Sequence, residues 1–295
     1  MDLYTKKDIE KISYEILKSS KSLDIFPTPV DRIVSYTELA INKGIDLSKI
    51  HPNYLSKGTD ILKRALGKVK GVFDRKEKII HLDLSLIGAK QNFVKLHEVG
   101  HGVLPWQQST YEICEDDEDS LSPETRDDFE IEANTFASIT LFQCDRFHHE
   151  MEKLGLSIDS AIYLSKQFGA SIHAALRKYV EDSNNRCALL VLKDRTPVGA
   201  LLRNLFQSER FTKTYGMLSI PDTLDYFSWP FIQDYCHRRK RRDDGLVTIM
   251  TENGSVDFKY HFFDNSYNAF VFIFPIGEKK STRTKFIISD NNIQL

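Results

Sequence analysis

No stretch of this sequence approaches a membrane span. The most apolar run, Ala269 to Ile276, falls far short of the roughly 20 residues a crossing helix needs. The amino terminus, Met-Asp-Leu-Tyr-Thr-Lys-Lys-Asp, is amphipathic and lacks the apolar core of a signal peptide, so the expected location is the cytoplasm. A strong charge of either sign is also missing. The net charge of -2 argues against a chain-wide electrostatic grip on nucleic acid or anionic lipid. Cysteine is sparse: Cys114, Cys144, Cys187 and Cys236 include no Cys-x-x-Cys pair, which argues against a thiolate metal cluster. In a reducing compartment they are expected as free thiols. Internal repeats and low-complexity segments are absent.

What is present is an ordinary globular composition, 41% hydrophobic and 28% charged, over 295 residues. That length exceeds what one core usually organises, so two domains are expected. Helical spacing of Ile9, Ile12, Ile16 and Leu17 predicts a first helix over 6–19. After Pro27-Thr28-Pro29, a second helix is expected from Val30 to Asn42 and a third over about Thr59 to Leu66. Val69 to Phe73 and Lys78 to Leu82 read as a β-hairpin or two sheet strands. A strong helix is expected from Ala89 to Leu104, stopped by Pro105. Another runs from the Ser122 cap, with Pro123 at the first helical position, to about Leu141. More helices fill the chain to Val180. From Cys187 the texture changes, and Ala188 to Leu192, Leu246 to Met250, Val256 to Phe263 and Phe270 to Phe274 read as strands. The expected class is α+β: a mainly helical domain with a small β-sheet over 1–183, and a β-rich or α+β accessory domain over 186–295.

The chemistry concentrates in His97-Glu98-Val99-Gly100-His101, an H-E-x-x-H motif on a predicted helix. Residues four apart share a helix face, so both imidazoles can reach one ion, with Glu98 beside it as general base. A catalytic zinc takes three protein ligands and keeps one position open. The helix from Ser122 offers Glu130 as the third ligand, one turn before Asn134, which can orient an imidazole from outside. Glu132 projects roughly 200° from Glu130 and reads as a surface residue. Tyr111, His81 and His173 are candidates, by residue type only, for an oxyanion donor. The strand Ile79 to Leu82 is expected as a cleft edge for an extended peptide.

The pair H-E-x-G-H and E-x-E-A-N-x-F-A resembles the ImmA/IrrE family of metallopeptidases, over about residues 8 to 180. The resemblance implies a zincin-like domain with His97, His101 and Glu130 holding one Zn²⁺ per chain and Glu98 catalytic. It also implies a helix-turn-helix repressor-like protein as substrate, in the control of stress-response or mobile-element genes. Two other function classes stay open. One is a non-catalytic, zinc-containing protein that binds a repressor. The other is a DNA-binding regulator using the helix–turn–helix-like segment Ala161 to Tyr179 and the basic run Arg238 to Arg242. The acidic run Glu115 to Asp119 and His148-His149-Glu150 read as solvated surface.

Overall fold

The structure, a computed structural model, describes residues 2–47, 71–113, 122–237 and 241–278. It divides into two compact units, Met1–Lys153 with Ala161–Ala175, and Leu154–Ser160 with Leu176–Leu295. No helix among the described residues is long and apolar enough to cross a membrane. Cys144, Cys187 and Cys236 are not in disulfides.

The first unit is α+β, as expected. Helix α1 (Leu3–Ser19) starts where Asp2 accepts a hydrogen bond from the Thr5 amide at 2.8 Å, and it buries Ile9, Ser13, Ile16 and Leu17. Helix α2 covers only Val30–Tyr36, and the following Ala40–Asp46 is strand β1, so the expected helix to Asn42 is too long. The chain turns between them at Glu38, whose φ is 59°. The β-branched and apolar Ala40-Ile41 then pair in parallel with Ile79 and Ile80. The expected hairpin is present as β2 (Gly71–Asp74) and β3 (Ile79–Leu82). The sheet order is β1-β3-β2, which makes β3 the central strand. The expectation that β3 forms a cleft edge is therefore wrong: both its sides are already hydrogen-bonded, and among the described residues β1 and β2 are the outer strands. The predicted helix over Thr59 to Leu66 and the acidic run lie outside the described residues.

Helices α3 (Gly88–Val103) and α5 (Pro123–Leu141) form the centre of this unit. Ser122 caps α5 through the Thr125 amide, with Pro123 following it. Pro105 does end α3, but it also opens a further helix, α4 (Pro105–Ile113), that the sequence reading did not include. The first position of a helix needs no amide hydrogen, so proline suits it. α6 (Arg146–Glu152) follows, then α7 (Ile158–Phe168) and α8 (Ile172–Glu181), with Gly169 at φ 69° in the turn between them. At the end of α5, the fully buried Gln143 side chain clamps the 24–28 loop. Its carbonyl accepts from the Asp24 amide at 2.7 Å, and its amide donates to the Ile25 carbonyl and the Thr28 hydroxyl at 2.8 and 3.0 Å.

The second unit holds a six-stranded antiparallel sheet, order β6-β5-β4-β9-β8-β7. Its strands are β4 (Ala188–Thr196), β5 (Gly199–Gln207), β6 (Thr223–Asp225), β7 (Arg242–Thr251), β8 (Gly254–Asp264) and β9 (Ala269–Pro275). One face packs α9 (Glu209–Tyr215) and α10 (Pro230–His237) through Leu190, Phe211, Phe231, Phe258, Phe262 and Val271. On the other face Leu189, Val191, Phe270 and Phe272 are also buried, and Tyr179 stands edge-on to Phe272 at 5.8 Å. Central strands covered on both faces read as unbroken apolar runs. From the basic run, Arg242 opens β7 and is ion-paired with Asp159 (residues 238–240 lie outside the described residues).

Candidate metal centre

Helix α3 brings His97, Glu98 and His101 to one side of the first unit, and α5 crosses it. The crossing is close because two small residues meet there. A side-chain carbon built on Gly100 would lie 3.2 Å from both Ala133 Cα and the Phe136 ring. The glycine of H-E-x-G-H and the alanine of E-A-N are thus one packing device, and it carries Glu130 to the imidazoles. Gly100→Val is expected to force the helices apart, destabilising the protein by about 1–3 kcal/mol and weakening metal binding together. Thermal melts and a zinc titration on the same sample would test this; unchanged zinc affinity in a folded variant would refute it.

His97 Nε2 lies 3.3 Å from Glu130 Oε2, His101 Nε2 lies 3.3 Å from Glu130 Oε1, and the two Nε2 atoms are 3.1 Å apart. Ligands at about 2.0–2.1 Å around a tetrahedral ion would be separated by about 3.3 Å. The donor set therefore fits a zinc-sized cation. These three residues form a possible metal-binding group. The Glu130 side chain is 59% exposed while those of His97 and His101 are 15% and 10% exposed, so the centre opens to solvent on the Glu130 side.

The imidazoles are held from behind. Asn134 Oδ1 lies 3.2 Å from His97 Nδ1, and Gln107 Oε1 lies 2.9 Å from His101 Nδ1. Pro105 has no amide hydrogen and cannot donate to the carbonyl four residues back, which is that of His101. Arg75, on the β2–β3 turn, supplies the donor instead at 3.0 Å, with its guanidinium stacked 3.5 Å over the Tyr111 ring. Tyr111 is buried there against Phe129. His81 sits on the central strand opposite Val72, and His173 lies on α8; neither belongs to the metal-binding group.

Glu132 corrects the sequence reading. It is 8% exposed, and its Oε2 accepts from Trp106 Nε1 and Gln107 Nε2, both at 2.8 Å. The residues missed from sequence are thus Arg75, Trp106, Gln107 and Glu132. One signal was available for the last: Phe129, Glu132, Ala133, Phe136 and Ala137 follow the rhythm of a buried helix face.

Glu98 is buried beside the centre, and burial raises its carboxyl above the usual 4.5. A side-chain carbon on Gly71 of β2 would come within 2.9 Å of Glu98 Oε1, so only glycine lets this strand lie so close. Burial opposes a charge on His97, but the Glu130 and Glu98 carboxylates outweigh it and lift its pKa above 6.5. His101 and His97 together hold the Glu130 carboxyl far below 4.5. The raised groups, His97 and Glu98, contribute stability that is complete below their unfolded values and lost as pH rises through the folded ones. Glu130 contributes stability above 4.5 that is lost as pH falls through its depressed value. Metal-free protein should therefore melt highest between the unfolded values of 4.5 and 6.5 and lose stability as pH rises above 6.5 through the raised folded values. Melting curves in chelator check this, and a melting point that climbs steadily from about pH 6 to 8 would contradict it.

A small sheet, a helix bearing H-E-x-x-H and a crossing helix that presents a glutamate define a metallopeptidase type of fold. Residues 56–179 match the family model Peptidase_M78, described as the IrrE N-terminal-like domain. That stretch of the chain is similar to the family, in agreement with the ImmA/IrrE resemblance. Among solved structures, a Mycobacterium tuberculosis transcriptional regulator has a similar fold, with a TM-score of 0.52 and 11% identity over 90% of this chain and 75% of that one. No curated protein matches the chain.

Proposed function

We propose that the protein is a zinc-dependent endopeptidase acting on a regulatory protein of the helix-turn-helix repressor type. The observation that carries this reading is the pairing of a three-donor, zinc-sized cluster with a buried carboxylate, Glu98, that is not part of it. A purely structural zinc is usually closed by four protein ligands and has no use for such a base. His97, His101 and Glu130 would hold the ion, and Asn134 orients His97. When bound, Zn²⁺ supplies Lewis-acid activation of water and of the scissile carbonyl.

Glu98 then accepts the proton of the attacking water at its carboxylate and delivers it to the leaving amine nitrogen. Its raised pKa suits both steps, because a stronger acid would hold the proton too weakly. The outer strand β2, with Gly71 against Glu98, is the backbone on which an extended peptide would align by strand addition. The M78 domain and the fold shared with a transcriptional regulator both support a regulatory substrate over a nutritional one.

The test is elemental analysis of protein purified without chelator, followed by digestion of candidate repressors. One zinc per chain with cleavage at a defined bond is expected. No metal, even after zinc is added, would overturn the reading. Zinc without cleavage would favour the non-catalytic regulator.

A further inference from the structure

We propose that Glu132, acting through Gln107, is a positioning residue that fixes the ring orientation and tautomer of His101. The inference rests on the metal-centre reading and extends it to residues outside the donor set.

The argument starts from the Gln107 amide, which is fully buried on α4. Its nitrogen has two hydrogens, and both are committed. One points to Glu132 Oε2 at 2.8 Å and the other to the Phe129 carbonyl at 3.2 Å. Turning the amide over would set its oxygen against two acceptors, a carboxylate and a carbonyl, with no donor for either. The orientation is therefore determined by its neighbours. The amide oxygen must face His101 Nδ1, 2.9 Å away, and an oxygen there can only accept. So His101 carries its hydrogen on Nδ1 and presents a bare Nε2 toward Glu130 and His97.

Glu132 is the origin of this order. Its carboxylate takes Trp106 Nε1 as well as Gln107, which anchors it from a second side. Pro105 makes the relay possible by ending α3 and starting α4, so that Trp106 and Gln107 fold back behind His101. At the backbone of the same residue, Arg75 holds the His101 carbonyl. Ring and main chain are thus each fastened by a separate contact.

The experiment is histidine-selective ¹⁵N labelling of the full chain, with the tautomer read from long-range proton–nitrogen correlations. It uses metal-free protein at about pH 9, above the ordinary histidine range, and zinc affinity is measured in parallel by chelator competition. Wild-type His101 is expected as the Nδ1–H form. Glu132→Leu should release the amide, shift His101 toward Nε2–H and weaken zinc binding by about 10–100-fold. The paired exchange Gln107→Glu with Glu132→Gln gives up the donor to the Phe129 carbonyl but keeps an acceptor facing His101, and should restore the Nδ1–H tautomer. If Glu132→Leu does not fold, Gln107→Leu breaks the same chain at its middle. The inference is overturned if wild-type His101 carries its proton on Nε2. It is also overturned if a folded Glu132→Leu keeps the wild-type tautomer and affinity. The tautomer is read without metal, so a wild type that binds no zinc would count against the peptidase reading and not against the relay.

Discussion

Glu98→Gln is expected to lower kcat/KM for peptide hydrolysis by about 10²–10⁴-fold, the usual contribution of a positioned general acid–base, while one metal per chain is retained. The two halves of this result come from the geometry. Glu98 is adjacent in sequence to His97 but lies against Gly71, and the possible metal-binding group closes without it. Gln preserves its volume, so the β2 strand stays in place. The carboxyl is raised by burial, and replacing it removes a charge that the interior opposes. The metal-free variant should therefore be at least as stable as wild type on the alkaline side, once wild-type Glu98 has ionised. The acidic limb of the pH profile of kcat/KM, expected above the ordinary carboxylate range in wild type, should disappear from any residual activity. An internally quenched peptide library, with metal content measured on the same preparation, gives all three readings. A variant that cleaves within tenfold of wild type would remove Glu98 from the mechanism. A wild type that cleaves nothing but binds a repressor, with Glu98→Gln binding it equally, would point to the non-catalytic regulator.

The sequence carried the parts of this centre that depend on local spacing. A five-residue motif on an uninterrupted apolar helix locates His97, Glu98 and His101, because one turn of helix is a geometric constant. The same constant puts Glu130 and Asn134 on one face. What it does not carry is which residues from elsewhere in the chain arrive behind that face. Arg75 reaches the His101 carbonyl across 26 residues, and Gln107 reaches Phe129 across 22. No periodicity encodes such meetings. Glu132 shows a different limit. Its angle from Glu130 sets it apart from the possible metal-binding group, and by sequence alone an acidic residue pointing away from that group reads as solvated. The buried rhythm of Phe129, Ala133 and Phe136 on the same helix pointed inward.

The errors in the fold have the same origin. Val30 to Asn42 contains enough helix-compatible residues to extend the pattern, and only pairing with Ile79 and Ile80 turns Ala40 and Ile41 into a strand. In the second unit, β4, β7, β8 and β9 were legible. Strand β5, with Arg203 and Asn204 in its middle and several exposed positions, and the three-residue β6 were not.

Glu130→Ala is expected to weaken zinc binding by more than the 10–100-fold typical of outer hydrogen-bond partners, without unfolding the metal-free protein. Glu130 contributes a carboxylate within 3.3 Å of both Nε2 atoms, so its loss removes a donor and the only negative charge in the group. Two imidazoles remain, and their mutual approach at 3.1 Å is no longer balanced. The cost to the apo fold should be small, because the side chain is more than half exposed and exposed ion pairs contribute about 0–1 kcal/mol. In wild type, zinc at 100 times its dissociation constant should stabilise the fold by about 2.7 kcal/mol through linkage alone. That increment should vanish in Glu130→Ala at the same zinc concentration. Asn134→Ala removes only the acceptor behind His97 and should fall between, retaining zinc with about 10–100-fold weaker affinity. Calorimetric titration and melting with and without zinc would order the three proteins. If Glu130→Ala bound one zinc as tightly as wild type, Glu130 would not be a ligand, and the third donor would have to come from another residue or from solvent.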